Sequence, residues 1–390
     1  MRVLFTALPA TGHVHAILPL ATATKAAGHA VAIATGRSFE PTVRAHDLEY
    51  LAAGADRFDD LFDGAPPVTD PGRAAWTARE AFGTRGPQRM IPDLQRHLDG
   101  WRPDVVVRES AELGGAIVAE AAGLPHAGVS AGAWASLDAR RARMADFMAP
   151  HREALGLEPD PQGRMLFRYL QLGFTPPSWD GAAPIPATLH HIRYDVPERP
   201  GDDPPAWLPP TNGRTRPFVF ASLGTVMYAA DGLMEAIVAA LGELDVDAVV
   251  AIGRDQDAAR FGAPPPHVRI ESYVPQLHVL RAADVFVTHG GFNGTKEALR
   301  LGVPLVVTPI NGDQPYTAER VAALGLGLAI GQEERTPQRI GQAIREILVQ
   351  DRYRSATAAF AAEMASLPPI SHAVRLLERL TSEVEPIPRP

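Results

Sequence analysis

The chain has 390 residues, enough for two domains of ordinary size. Hydrophobic residues at 46% and charged residues at 21% are globular values, with a sizeable core expected in each half. A balance of 37 basic to 45 acidic residues gives −8, which argues against nucleic acid or an anionic membrane as the main partner, and the lack of cysteine excludes disulfides and thiol chemistry.

From the N-terminus, Val3–Leu8 reads as a first strand, too short and too early for a signal-peptide core. No stretch approaches the roughly 18 apolar residues of a membrane span, so a cytoplasmic protein is expected. A helix over 17–27, closed at Gly28, leads to a strand over 31–35. A strand over 104–107, a helix over 112–122 and a strand over 125–129 continue the alternation, which predicts βαβ units on a parallel sheet. Two segments, 54–92 and 134–195, break that rhythm and carry large apolar residues without a strand period. These are Phe58, Phe62, Trp76 and Phe82, then Trp134, Met144, Phe147, Met148, Phe167 and Tyr169. Such insertions form lids or binding loops, or else short helices packed on the sheet edge. Trp76, Phe82, Trp134 and Phe147 are the candidate lining of an apolar pocket.

A proline-rich stretch over 201–215 reads as a linker. The same grammar restarts at Phe218–Ser222, with strands over 248–252, 284–288 and 305–309 and helices over 232–241 and 295–301. Amphipathic helices follow at 338–349, 354–364 and 372–383. The expected organisation is an N-terminal domain over 1–200, the linker, a second domain over 216–371, and a C-terminal helix and tail over 372–390 that can pack back on the first domain.

The strongest chemical signal runs from Tyr273 to Gln314. Tyr273-Val274-Pro275-Gln276 precedes a strand that feeds His289-Gly290-Gly291-Phe292-Asn293-Gly294-Thr295 and opens a helix through Glu297. A strand, a Gly-rich turn and a helix in succession make an anion site: backbone N–H groups approach closely and the helix dipole favours negative charge. The next strand ends at Asp313-Gln314, and open α/β sheets bind ligands at such carboxyl ends. A second signal, Thr11-Gly12-His13, follows the first strand. The G-x-G-x-x-G of a dinucleotide site is absent there, and an imidazole can take a proton from a hydroxyl near neutral pH. Glu109 and Glu112 follow the strand over 104–107.

Taken together, these motifs resemble the donor signature of the UDP-glycosyltransferase family, inverting enzymes of GT-B fold that include bacterial natural-product glycosyltransferases. The resemblance implies an α/β protein of two Rossmann-like βαβ domains facing across a cleft, the first for acceptor and the second for donor. It implies that Tyr273, at the usual Trp position, stacks on the base, that the Val274 backbone reads its edge, and that Gln276 and Glu297 hold ribose. His289, Gly291, Asn293, Gly294 and Thr295 then bind the diphosphate, with Gly224 and Thr225 as a second phosphate loop, and Asp313 and Gln314 take the sugar. His13 becomes the catalytic base and an acid that orients it is implied: Glu109, where the family has Asp, is preferred, and Glu112 is the rival. One departure is Ala16, at the family's usual proline. The D-x-D pairs Asp245/Asp247 and Asp255/Asp257 have the form of metal-dependent transferases but flank a strand in ordinary loops, so no metal or other cofactor is expected. His190-His191 reads as incidental.

The expected activity is hexose transfer from a UDP- or TDP-sugar to a hydrophobic small molecule such as a polyketide, macrolide or aromatic aglycone. Asp313-Gln314 points to a hydroxyl-rich sugar such as glucose. The alternatives are an NDP-sugar 2-epimerase of the same fold and a non-catalytic nucleotide-sugar-binding protein.

Overall fold

The computed structural model describes all residues except 68, 69, 71, 131–136, 182–183, 196–201, 211–212, 225–231, 255 and 390, and only the backbone of 137–140. The chain divides into two compact units, Met1–Pro197 with Leu367–Pro390, and Glu198–Ser366. The proline-rich stretch therefore lies within the second unit, and the return to the first is at Leu367 rather than His372.

Unit 1 contains β1 (Arg2–Thr6), β2 (Ala30–Thr35), β3 (Glu49–Ala52), β4 (Val105–Glu109), β5 (His126–Val129), β6 (Leu170–Gly173) and β7 (Leu189–His191). They form one parallel sheet in the order β3-β2-β1-β4-β5-β6-β7. The middle strands are apolar on both faces because helices cover both, as parallel sheets require. Glu109 closes a fully buried strand. The segment over 134–195, which lacked a strand period in the sequence, supplies the helix Leu137–Ala154 and the last two strands of the sheet, β6 and the edge strand β7. Its Met148 and Phe167 are core residues. Strands of three or four residues are too short for alternation to show.

The segment over 54–92 holds short helical turns, a π-helical stretch Thr77–Arg85 and the helix Gly86–Trp101. At the other end of the chain, the helix Ile370–Glu383 packs on the helix Thr11–Ala26. The tail that follows is held by Ile387 N–H on the Tyr169 carbonyl at 2.8 Å. His190 Nε2 bonds the Ile387 carbonyl at 3.0 Å, and His191 Nδ1 bonds the Thr175 carbonyl at 2.7 Å. The two histidines are structural ties rather than incidental residues.

Unit 2 contains β8 (Phe218–Ser222), β9 (Asp247–Ala251), β10 (Val268–Glu271), β11 (Val285–Thr288), β12 (Leu305–Val307) and β13 (Gly327–Ala329), parallel in the order β10-β9-β8-β11-β12-β13. Phe220 and Phe286 stack across β8 and β11 with centroids 4.7 Å apart. Among the described residues no helix is long and apolar enough to cross a membrane.

His126 on β5 is fully buried, edge-on to Tyr169, and neither ring nitrogen has a hydrogen-bond partner among the described residues. Burial first, then the charges of Arg108 and Arg168, push its imidazole down from 6.5 to about 3. Between those values the unfolded chain binds a proton that the native state refuses, so this stabilising difference is lost as pH falls below about 6.5. His126→Phe keeps a ring and removes the proton site. In denaturant titrations it should gain stability relative to the parent as pH drops through that window. A difference constant with pH would refute the linkage.

Candidate active site

Each unit gathers polar groups where its first strand lies beside its fourth. In unit 1 the helix Thr11–Ala26 begins soon after β1 and carries His13 in its first turn. β1 pairs with β4, so the end of β4 lies alongside. There Glu109, fully buried, sets Oε1 2.9 Å from His13 Nδ1. Its carboxylate also accepts from the Ala111 N–H at 2.7 Å. Burial pushes the Glu109 carboxyl up, but His13, the Ala111 amide and Arg108 outweigh it and hold the group below the usual carboxylate range.

Glu112 does not share this position. It accepts from the Thr6 hydroxyl at 2.5 Å and the Gly115 N–H at 3.0 Å, and burial lifts it to about 7. Neither acid is the solvated helix-start residue that carboxylates near a helix N-terminus usually are.

The apolar residues of the first insertion surround His13 unevenly. Phe82 is edge-on to the imidazole at 5.9 Å between centroids, and Phe58 lies 5.7 Å away. Phe62 backs Phe58 at 4.9 Å, and Trp76 stands behind Phe62 at 6.1 Å, beneath the guanidinium groups of Arg73 and Arg85. Phe147 stands behind Gly83, where any Cβ would lie 2.6 Å from its ring. Trp134 lies outside the described residues.

In unit 2, β8 and β11 place Ser222 beside Thr288, so the loops after both strands leave together. The Ser222 hydroxyl accepts from the Gly224 N–H and that of Thr288 from the Gly290 N–H, each at 3.2 Å. Gly224, at φ 75°, and Gly291 lie against the His289 ring: a Cβ would fall 2.8 Å from its Cε1 or 2.5 Å from its Nε2. Burial lowers His289 to about 4, against the opposing bond to the Ser222 backbone, so the imidazole is neutral at neutral pH.

The helix Phe292–Arg300 opens at this point and carries Asn293, Gly294, Thr295 and Glu297. The Thr295 hydroxyl is buried without a hydrogen-bond partner among the described residues. Gln276 donates to the buried Glu297 carboxylate at 2.6 Å, which joins the two. Val274 is buried beside them in sequence, and Tyr273 stays 37% exposed. Asp313 precedes the helix Gln314–Ala323, but Gln314 departs from expectation. Its amide oxygen accepts from the Ile310 and Asn311 N–H groups at 2.8 and 3.1 Å, so that acceptor is spent on shaping the loop. Thr225 lies outside the described residues.

Of the D-x-D pairs, Asp245 and Asp247 both bind Arg216, at 2.8 and 3.3 Å. Asp257 accepts from the Ala259 N–H at 2.9 Å, and Asp255 lies outside the described residues.

Residues 22–178 match the N-terminal domain, and residues 235–380 the C-terminal domain, of the erythromycin biosynthesis protein CIII-like family. The chain is 31% identical to L-demethylnoviosyl transferase of Streptomyces niveus, over 94% of this chain and 95% of that protein. The chain belongs to this family of natural-product glycosyltransferases. It is also 29% identical to 10-deoxymethynolide desosaminyltransferase of Streptomyces venezuelae, over 98% of each. The spinosyn rhamnosyltransferase SpnG matches in structure with a TM-score of 0.80 and 26% identity, over 97% of this chain and 100% of that one. SpnG has been solved with thymidine diphosphate and with spinosyn aglycone. The fold of the glycosyltransferase is thus GT-B.

Phe58, beside His13, and Phe62, behind it, were visible in sequence only as part of an apolar segment. One i,i+4 pair is too little to mark a binding residue, and what sets Phe58 apart is contact with the imidazole. The His289 cradle predicts a contrast between glycines. Gly291→Ala drives a Cβ into the ring and should cost the glycosyltransferase roughly 1–3 kcal/mol. At Gly294 a Cβ meets nothing closer than 3.5 Å, and Gly294→Ala should be neutral or stabilising. Equal losses for both in urea unfolding would contradict the cradle.

Proposed function

We propose that this glycosyltransferase moves a hexose, with inversion at the anomeric carbon and without a metal ion, from a nucleoside-diphosphate donor on unit 2 to a hydroxyl of a hydrophobic small molecule on unit 1. The observation that carries this reading is the buried Glu109 carboxylate 2.9 Å from His13 Nδ1. A carboxylate there keeps the proton on Nδ1 and leaves the Nε2 lone pair to remove a hydroxyl proton, while its charge steadies the imidazolium that forms. Phe58 and Phe82, against the same ring, offer apolar contact to a polyketide, macrolide or aromatic acceptor.

On the donor side, Tyr273 receives the base and Val274 its edge, while the joined Gln276 and Glu297 take the ribose. The diphosphate lies at the N-terminus of the helix Phe292–Arg300, among Gly224, His289, Gly291, Asn293, Gly294 and Thr295. Backbone N–H groups and the helix dipole there offset the charge of the leaving group, the task a metal ion performs elsewhere. The thymidine diphosphate held by SpnG favours TDP over UDP. Because Gln314 has spent its acceptor, Asp313 is left as the main acceptor for sugar hydroxyls, which favours a deoxygenated hexose over glucose. The two relatives named above are both transferases, which weighs against the epimerase and non-catalytic readings.

Turnover can be followed as acceptor-dependent release of TDP across a panel of aglycones. His13→Ala should lower it at least about 100-fold, as expected for a lost general base, and leave TDP affinity by calorimetry unchanged. Near-normal turnover in that variant removes His13 as the base. Turnover should be equal in EDTA and in Mg²⁺. A loss in EDTA that Mg²⁺ restores would overturn the metal-free mechanism.

A further inference from the structure

β9 and β10 are parallel neighbours, and beyond their ends the Ile252 N–H donates to the Glu271 carbonyl at 2.9 Å. The loops that follow them therefore leave the sheet side by side. Gly253, at φ 100°, turns the first loop, and Arg254 comes next. Tyr273 stands on the second. The Arg254 guanidinium lies 3.9 Å from the centroid of the Tyr273 ring, the contact distance of a planar cation on an aromatic face. At the tip of the ring the hydroxyl donates to the Asp202 carboxylate at 2.6 Å. Asp202 is itself tied down, because its carbonyl bonds His278 Nε2 at 3.0 Å.

Tyr273 is thus held on one face and at its tip, yet it is among the most exposed large apolar side chains described, at 37%. Core packing does not explain a ring that is fixed and uncovered. A ligand that stacks does: each torsion frozen before binding is entropy the ligand need not supply.

We propose that Arg254, Tyr273 and Asp202 form a composite platform for the base of the donor, in which Arg254 and Asp202 are positioning residues that act through the tyrosine ring. The proposal rests on the reading of unit 2 as a nucleotide site and adds two residues to it. Arg254 backs the ring with a planar charge, and Asp202 sets its tilt. Neither needs to touch the diphosphate, whose loops follow β8 and β11.

Calorimetry with TDP and with inorganic pyrophosphate, which has no base, separates the roles. Arg254→Ala should weaken TDP binding about 2- to 5-fold, as for an exposed cation–π contact. Tyr273→Phe keeps the ring and loses the clamp, and should weaken it about 2- to 10-fold. Tyr273→Ala removes the stack and should cost about 5- to 100-fold. Pyrophosphate affinity should be unchanged in all three. Equal weakening of both ligands by Arg254→Ala would place Arg254 on the phosphates and overturn the proposal. So would TDP affinity untouched by Arg254→Ala and Tyr273→Phe. Failure of the unaltered protein to bind either ligand would instead overturn the donor reading of unit 2.

Discussion

Two pairs of parallel neighbours, β1 with β4 and β8 with β11, position the candidate site residues of this protein. In each unit the first strand lies beside the fourth, and the strand order reverses there. Connections leave such a pair in opposite directions, so the carboxyl ends of the two strands are open and their loops face one another. In unit 1 this brings His13 to Glu109, residues far apart in the chain. In unit 2 it brings Gly224 to His289. One topological rule, applied twice, sets a carboxylate against an imidazole on one unit and glycines against an imidazole on the other.

What the two sites do with that opening differs. Unit 1 manages buried charge. Glu109 and Glu112 sit on one short loop in the same apolar surroundings, yet one carboxyl is held low by the imidazole and the other lifted to about 7 by burial. Arg108, also buried, donates to the carbonyls of Glu109, Ser110 and Glu112 at 3.1–3.3 Å, so the same cation that offsets the acids also shapes the loop that presents them. Such a group is costly to desolvate, and its several hydrogen bonds keep it in place. Unit 2 manages space instead. Its glycines are required where side chains would strike the His289 ring, which burial keeps neutral and ready to act as a hydrogen-bonding group.

Much of this was legible in the chain. The strands β1, β2, β4, β5, β8, β9, β11 and β12 are apolar runs flanked by turns, and a buried parallel strand leaves that mark whatever surrounds it. The Gly-rich loop was legible because its glycines fall together between a strand and a helix, where in the structure Gly291 meets the His289 ring. The strands β3, β6, β7, β10 and β13 left no such mark, since each mixes polar residues or glycine into its three or four positions, whereas the equally short β11 and β12 are almost wholly Val, Leu and Phe. The second insertion is accordingly sheet edge and core: Met148 and Phe167 lie in the core, and Phe147 stands behind Gly83.

By itself the sequence determined the class of protein and the residue types of its Gly-rich loop, because hydrophobic runs and glycine positions are local requirements that neighbouring residues satisfy. Tertiary structure alone decided which acid meets His13. Strand alternation turns Glu109 to the face of β4 that looks toward the helix Thr11–Ala26, and the next turn sends Glu112 to Thr6. It also decided that Phe58 and Phe82, rather than Trp76, meet the imidazole, and that Gln314 spends its acceptor on its own loop. Each of these is a choice between chemically equivalent groups a few residues apart. Direction in space makes that choice, and direction comes from the packing of the whole unit.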